Sequence, residues 1–253
     1  TRRSPTQPPA PVGRIVFTAY DPGARKYELY IINTDGSGRR KLVDEASEPS
    51  FSPDGRRIVF YSWKDAGLFL MNADGSGVSR LTKEVDDATP SWSVLNRIAF
   101  GAYRDRAWRV WSMDQYGADV RRLTDFEGKF PSWSPDGKQI VYQGCVGGDC
   151  GLTIINADGS GRYRITTNAN DSCPAWSPDG SRIAFVSDRD GNWEIYTITP
   201  EGANLTRLTT NPTNDGLPAW TPDGRLAFRS DRGGSWGIWI MNADGSGAVK
   251  IAD

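Results

Sequence analysis

The sequence predicts an all-β fold, a six-bladed β-propeller of four-stranded antiparallel blades, from three observations. One motif recurs at a near-constant period, the segments between turn signals are short and rich in β-branched and aromatic residues, and no stretch sustains the 3.6-residue rhythm of an amphipathic helix. Pro49-Ser-Phe-Ser-Pro-Asp-Gly55 returns as Pro90-Ser-Trp-Ser93, Pro131-Ser-Trp-Ser-Pro-Asp-Gly137, Pro174-Ala-Trp-Ser-Pro-Asp-Gly180 and Pro218-Ala-Trp-Thr-Pro-Asp-Gly224, at spacings of 41, 41, 43 and 44 residues. A second motif, Asn-x-Asp-Gly-Ser-Gly, begins at Asn33, Asn72, Asn156 and Asn242, with degenerate copies around Gly117 and Gly202. Six copies leave about 42 residues apiece, the length of one four-stranded blade.

Each element follows in chain order. Residues 1–12 carry Pro5, Pro8, Pro9 and Pro11 among small polar residues and read as a Pro-rich linker, or as the inner strand that completes the first blade. Residues 13–253 form the propeller. Within a blade, strand A ends in Pro-x-Trp-Ser, and Pro-Asp-Gly turns the chain because Pro presets φ and Gly accepts a positive φ. Strand B is apolar and alternating, as in Arg57-Ile-Val-Phe-Tyr61; a polar loop leads to strand C, as in Trp193-Glu-Ile-Tyr-Thr-Ile198. The Asp-Gly-Ser-Gly turn then feeds a short basic strand D, such as Val78-Ser-Arg-Leu-Thr82. The ring at Phe51, Trp92, Trp133, Trp176 and Trp220 supplies one aromatic per blade for packing between blades.

Composition narrows the function. With no His there is no Ser-His-Asp or Cys-His machinery, and with three Cys and no His no tetrahedral structural zinc site can be completed. The chain is therefore expected not to be an enzyme and to need no cofactor or metal, beyond an adventitious calcium ion at the channel mouth. The 30 basic and 31 acidic residues nearly cancel, so nucleic acid is not an expected partner. The basic residues of strand D read instead as protection of an outer sheet edge. No apolar run reaches the roughly 18 residues of a membrane span, so direct membrane insertion is not expected either. A monomer is the expected state.

Strands that alternate in direction place the A–B and C–D turns on one face and the B–C and D–A loops on the other. The first set is uniform; the second varies from blade to blade, which is where binding residues concentrate on a rigid scaffold. Asp87, Asp171 and Asp215 each lie three residues before the Pro of strand A, and repeat equivalence predicts that they converge around one channel mouth. Trp63, Arg104, Asp188, Arg189, Asp231 and Arg232 fall in the neighbouring loops and complete the expected partner-binding set. Cys145 and Cys150, five residues apart at the base of a Gly-rich B–C hairpin, are expected to form a disulfide while Cys173 stays a buried thiol. Such a bond fits an oxidising compartment.

The two motifs, with Ser187-Asp-Arg-Asp-Gly-Asn-Trp-Glu-Ile-Tyr196 between them, resemble the TolB-like six-bladed propeller family. The likeness runs from Gly13 to Asp253 and is weakest in the third repeat, where Ser93-Val-Leu-Asn96 replaces Ser-Pro-Asp-Gly. The resemblance implies a bacterial, extracytoplasmic protein, periplasmic or at the cell surface, that binds other proteins through one face and the central channel. A lyase-like relative would rely on histidines around a metal, which this chain lacks. The sequence thus points to a non-catalytic module binding a protein or peptide. Its alternative is a small-ligand or glycan-binding propeller that uses Trp63 or Trp108.

Overall fold

The computed structural model describes residues 13–253, which form six antiparallel sheets arranged as the blades of a β-propeller. Blade 1 contributes Arg14–Asp21, Lys26–Asn33 and Arg40–Asp44 as strands B, C and D. Completion of that blade by N-terminal residues concerns residues 1–12, outside the described residues. Blade 2 runs through Ala46–Phe51, Arg57–Ser62, Leu68–Asn72 and Ser79–Arg80 as strands A to D. Blades 3 to 6 repeat this order, their A strands being Asp87–Trp92, Glu127–Trp133, Ser172–Trp176 and Asp215–Trp220. In each complete blade the ladder order is A-B-C-D, so strand A forms one edge and strand D the other. Successive A strands are neighbours around the centre.

The core is divided among six apolar clusters, each shared by two adjacent blades. The last joins Ile15, Phe17 and Ile32 of blade 1 to Ala227 and Ile240 of blade 6, which closes the ring. Trp92 and Trp133 are buried, and Phe51, Trp176 and Trp220 pack partly buried against their clusters, so the strand A aromatics do cement neighbouring blades. A second ring goes beyond that expectation. Phe17, Phe60, Phe100, Tyr142, Phe185 and Phe228 hold one buried position at the middle of strand B in all six blades. Each such side chain removed from water stabilises the fold by roughly 1.5–3 kcal/mol, and this accounts for a firm core in a chain only 38% hydrophobic.

The turns are held by their own carboxylates. In the A–B turns Ser52 and Ser177 hydroxyls donate to Asp54 and Asp179 at 2.6 Å, and the N–H groups of Arg56 and Ser181 donate to the same Asp oxygens at 3.0 Å. In the C–D turns the Ser76 hydroxyl and N–H both donate to Asp74, at 2.6 and 2.9 Å. Blade 3 lacks Pro-Asp-Gly, and there Asn96 takes the left-handed conformation, φ 58°, that Gly provides elsewhere.

Serine hydroxyls, followed by backbone N–H groups, hold Asp35, Asp54, Asp74, Asp136, Asp158 and Asp244 below the usual carboxylate range, and hold Asp179 at about 2. Between the unfolded value of about 3.9 and the lower folded value, the unfolded chain binds more protons. This contribution to stability is therefore complete above about pH 4 and is lost as the pH falls toward 2. Urea midpoints measured across that window should decline, and Asp179→Asn should make the decline shallower; an unaltered slope would remove the turn carboxylates as the cause.

The basic residues of strand D tie that strand to its neighbours. Arg80 donates to the carbonyls of Thr82, Asp65 and Ala66, and Arg207 donates to Thr209 O and to the buried Glu194 at 3.0 Å. One residue beyond the Leu or Ile that follows, the Thr82, Thr124, Thr166 and Thr209 hydroxyls accept the N–H of Leu68, Val110, Leu152 and Ile195 on strand C. The Arg-Leu-Thr signature is thus a clasp on a two-residue edge strand.

Candidate functional site

The loop face contains three copies of one device. In blade 3 a single guanidinium nitrogen of Arg104 donates to both oxygens of Asp87, at 2.6 and 2.9 Å, and the guanidinium lies over Phe100 and Trp111. In blade 5 Arg189 donates to both oxygens of Asp171, at 2.9 and 2.8 Å, over Phe185 and Tyr196, while its Nε donates to the Ser187 hydroxyl. In blade 6 Arg232 donates to Asp215 at 2.8 Å, over Phe228 and Trp239, with its Nε on Ser230. Blade 3 has Ala102 in place of that Ser, and Arg104 Nε has no partner among the described residues. Burial pushes the Asp87 carboxyl up, against the pull of Arg104.

In blades 2 to 6 the Asp and the Arg occur together or not at all. Ala46 and Lys64 occupy the two positions in blade 2, and Gly128 and Val146 in blade 4. There Cβ atoms on Gly128 would meet Val110 and Tyr142 at 2.9 and 3.0 Å, so packing has taken the carboxylate's room.

This corrects the picture of an open carboxylate ring. Asp87, Asp171 and Asp215 are fully enclosed, 0% exposed, and each faces its own arginine inside its own blade. They pin the start of strand A to the B–C loop, and their oxygens are not presented to a partner or a calcium ion. Among the described residues no cluster of three or more His, Cys, Asp or Glu side chains is placed to hold a metal. Asp188 accepts from Asn170 Nδ2 at 2.8 Å and Asp231 from the Asn214 N–H at 2.8 Å, so both fasten the adjacent D–A loops. Trp63 stands apart from these pairs, 54% exposed, its ring N–H donating to the Ser47 hydroxyl. Cys145 and Cys150 lie opposite each other in the blade 4 hairpin and are joined, S–S 2.06 Å; Cys173 is free but half-buried and not fully buried as expected, because it sits at the bulge of strand A, and desolvation pushes its thiol up to about 11.

The inner edge strands supply another set of residues. All five described A strands have a β-bulge, and the residue just before the Pro takes a positive φ near 50°: Glu48, Thr89, Phe130, Cys173 and Leu217. None is Gly, and an L-residue in this region carries strain that the surrounding sheet must hold. The bulge removes the residue from the in-out alternation of the ladder. The Glu48 carboxylate reaches across to accept the Thr89 N–H of the next blade at 2.7 Å, and its charge is felt at Cys173 three blades on. Burial holds the Glu48 carboxyl above its ordinary range, opposed by the Thr89 N–H. Among the described residues no Lys or Arg forms an ion pair with it. Sequence reading passed over this set, although one signal was present: the repeat is constant at the Pro and different in every blade just before it.

Antiparallel sheets arranged in a ring, with uniform turns on one face and variable loops on the other, define a six-bladed β-propeller. The sequence matches the TolB beta propeller domain over residues 9–172 and 165–252, and the chain belongs to that family. It is 28% identical to a TolB homolog of Chlorobium chlorochromatii over 136 residues, 51% of this chain and 30% of that protein. It is 28% identical to an uncharacterized protein of Agrobacterium fabrum over 153 residues, 56% of this chain and 52% of the other. The fold superposes on the crystal structure of TolB from Acinetobacter baumannii with a TM-score of 0.86 at 21% identity, covering 95% of this chain and 64% of that one. The chain thus spans about half or less of the curated relatives it matches.

Proposed function

We propose that the chain is a non-catalytic, extracytoplasmic binding module whose channel mouth takes a segment of a partner protein or peptide, with a basic group of that segment against Glu48. The five bulge positions carry this reading. The frame around them repeats, yet their side chains are acidic, hydroxylic, aromatic, thiol and aliphatic in turn, as a rigid scaffold presenting a specific surface requires. A desolvated carboxylate with no cation of its own favours an incoming ammonium or guanidinium. Kinship with TolB supports a protein partner, and the Cys145–Cys150 bond supports an oxidising compartment.

The test is selection of peptides from a random display library against the folded protein, followed by affinity measurement. Selected peptides should carry Lys or Arg, and Glu48→Gln should weaken them about tenfold or more, equivalent to about 1.4 kcal/mol. Affinity should also fall on acidification, at a pH higher than an exposed Glu would require, because only the ionised Glu48 attracts a cation. Binders indifferent to both Glu48→Gln and Leu217→Asp would place recognition away from the channel.

A further inference from the structure

The outer part of the loop face carries a contiguous strip of exposed rings that neither the fold nor the channel uses. Tyr20 and Tyr27, at the tip of the blade 1 hairpin, have ring centroids 5.2 Å apart at 57°; Tyr27 and Trp63 of blade 2 follow at 6.1 Å and 29°, then Trp63 and Tyr61 at 5.0 Å and 77°. Tyr20, Tyr27 and Trp63 are about half exposed, 52%, 47% and 54%. Single exposed aromatics need no explanation, but a joined set does. Packing does not demand an aromatic here: the position of Tyr27, six residues before the C–D turn, is held by Ala66 in blade 2 and Cys150 in blade 4.

The two outer ring pairs meet at 57° and 77° while the middle pair is stacked at 29°, so the strip has a notch at each end and is not a flat platform. The polar atoms of the second notch are already engaged, Trp63 Nε1 with the Ser47 hydroxyl at 3.0 Å and the Tyr61 hydroxyl with Val85 O at 2.9 Å. A ligand seated there must be satisfied by ring contact, which suits a pyrrolidine better than a sugar with several hydroxyls to pair. The strip is also polarised. At one end Arg229 lies over Trp236 at 3.7 Å, where burial weighs on its charge and Tyr27 and Asp231 partly offset that, though among the described residues it forms no ion pair; at the other, Asp86 acts on Tyr61.

We infer that this strip is a second binding site, for a proline-rich segment of a partner protein in the polyproline II conformation, with an acidic residue of the segment at the Arg229 end. Such a helix repeats every three residues, about 9 Å, carries no internal hydrogen bonds and docks prolines between aromatic rings. Prolines three apart would enter the two notches while peptide carbonyls accept from the Tyr20 and Tyr27 hydroxyls. This site is separate from the channel and does not depend on it.

The probe is a synthetic twelve-residue peptide with two Pro-x-x-Pro repeats and a terminal Glu pair, titrated into the protein by calorimetry beside an all-Ala analogue, a Lys-ended analogue and a panel of neutral and acidic oligosaccharides. The Pro peptide should bind at least about tenfold more tightly than the all-Ala one. Trp63→Ala should abolish that preference, Arg229→Gln should erase the preference for Glu over Lys ends, and Trp193→Ala and Glu48→Gln should leave both intact. Retained thermal unfolding of each variant guards against misfolding. Equal binding of Pro and Ala peptides, no measurable binding of either, or Trp63-dependent binding of an oligosaccharide instead, would overturn the inference.

Discussion

Asp171→Ala should destabilise the protein by about 3–5 kcal/mol, because it leaves the Arg189 guanidinium facing a dry site with no counter-charge. Asp171 is wholly enclosed, and Arg189 is only 21% exposed, so water cannot replace the lost carboxylate well. The loss spreads beyond the pair. Arg189 also donates to Ser187 and lies over Phe185 and Tyr196, so a displaced guanidinium loosens strand A, the B–C loop and two rings of blade 5 together. Replacing both partners, Asp171→Ala with Arg189→Met, should recover part of the stability, since two apolar groups leave no charge stranded. Urea unfolding at neutral pH measures both. A single-variant loss under about 1 kcal/mol, or a double variant worse than the sum of the singles, would contradict the pin role and return these carboxylates to candidacy as a binding surface.

The repeat was legible because its cause is local. Pro-Asp-Gly and Asp-Gly-Ser-Gly fix turns through φ preferences and Asx-type hydrogen bonds that operate within five residues, so blade count and strand order could be read without tertiary information. The Trp ring was legible for a related reason: one large ring per period has few uses other than packing between repeats. The Asp–Arg device was half visible. Repeat equivalence did bring Asp87, Asp171 and Asp215 to one level of the propeller, and it put Arg104, Arg189 and Arg232 in the adjoining loops. What it could not show is that the pairing is within a blade, because that depends on where strand A meets the B–C loop, about 17 residues away along the chain, and on rings beneath the guanidinium that sequence spacing does not place. The observation that would have revealed it was available: blades 2 and 4 lose the Asp and the Arg together. The channel residues were hidden for a different reason. A residue before Pro is expected in an extended conformation, whereas all five adopt a left-handed φ at a bulge in strand A.

Phe185→Ala should cost about 3–5 kcal/mol, the range for removing a fully buried ring whose neighbours cannot collapse into the space. The informative comparison is Phe60→Ala in blade 2. Phe60 and Phe185 share the strand B position, are 1% and 0% exposed, and each packs beside a strand C ring, Phe69 at 6.0 Å and Tyr196 at 5.8 Å. Blade 2, however, has Ala46 and Lys64 where blade 5 has Asp171 and Arg189. The transfer and cavity losses should therefore be alike, while only Phe185 also supports a paired guanidinium, 5.5 Å above its ring. A cation over an aromatic face contributes about 0.5–2 kcal/mol depending on desolvation, so Phe185→Ala should exceed Phe60→Ala by an amount in that range. The excess should vanish once Asp171 and Arg189 have been replaced by Ala and Met, since the two perturbations then act on the same missing group. Equal losses in the two blades, or an excess that survives the double replacement, would show that the ring and the ion pair stabilise blade 5 independently, and that the three arginine stacks are incidental to how the loop face is held.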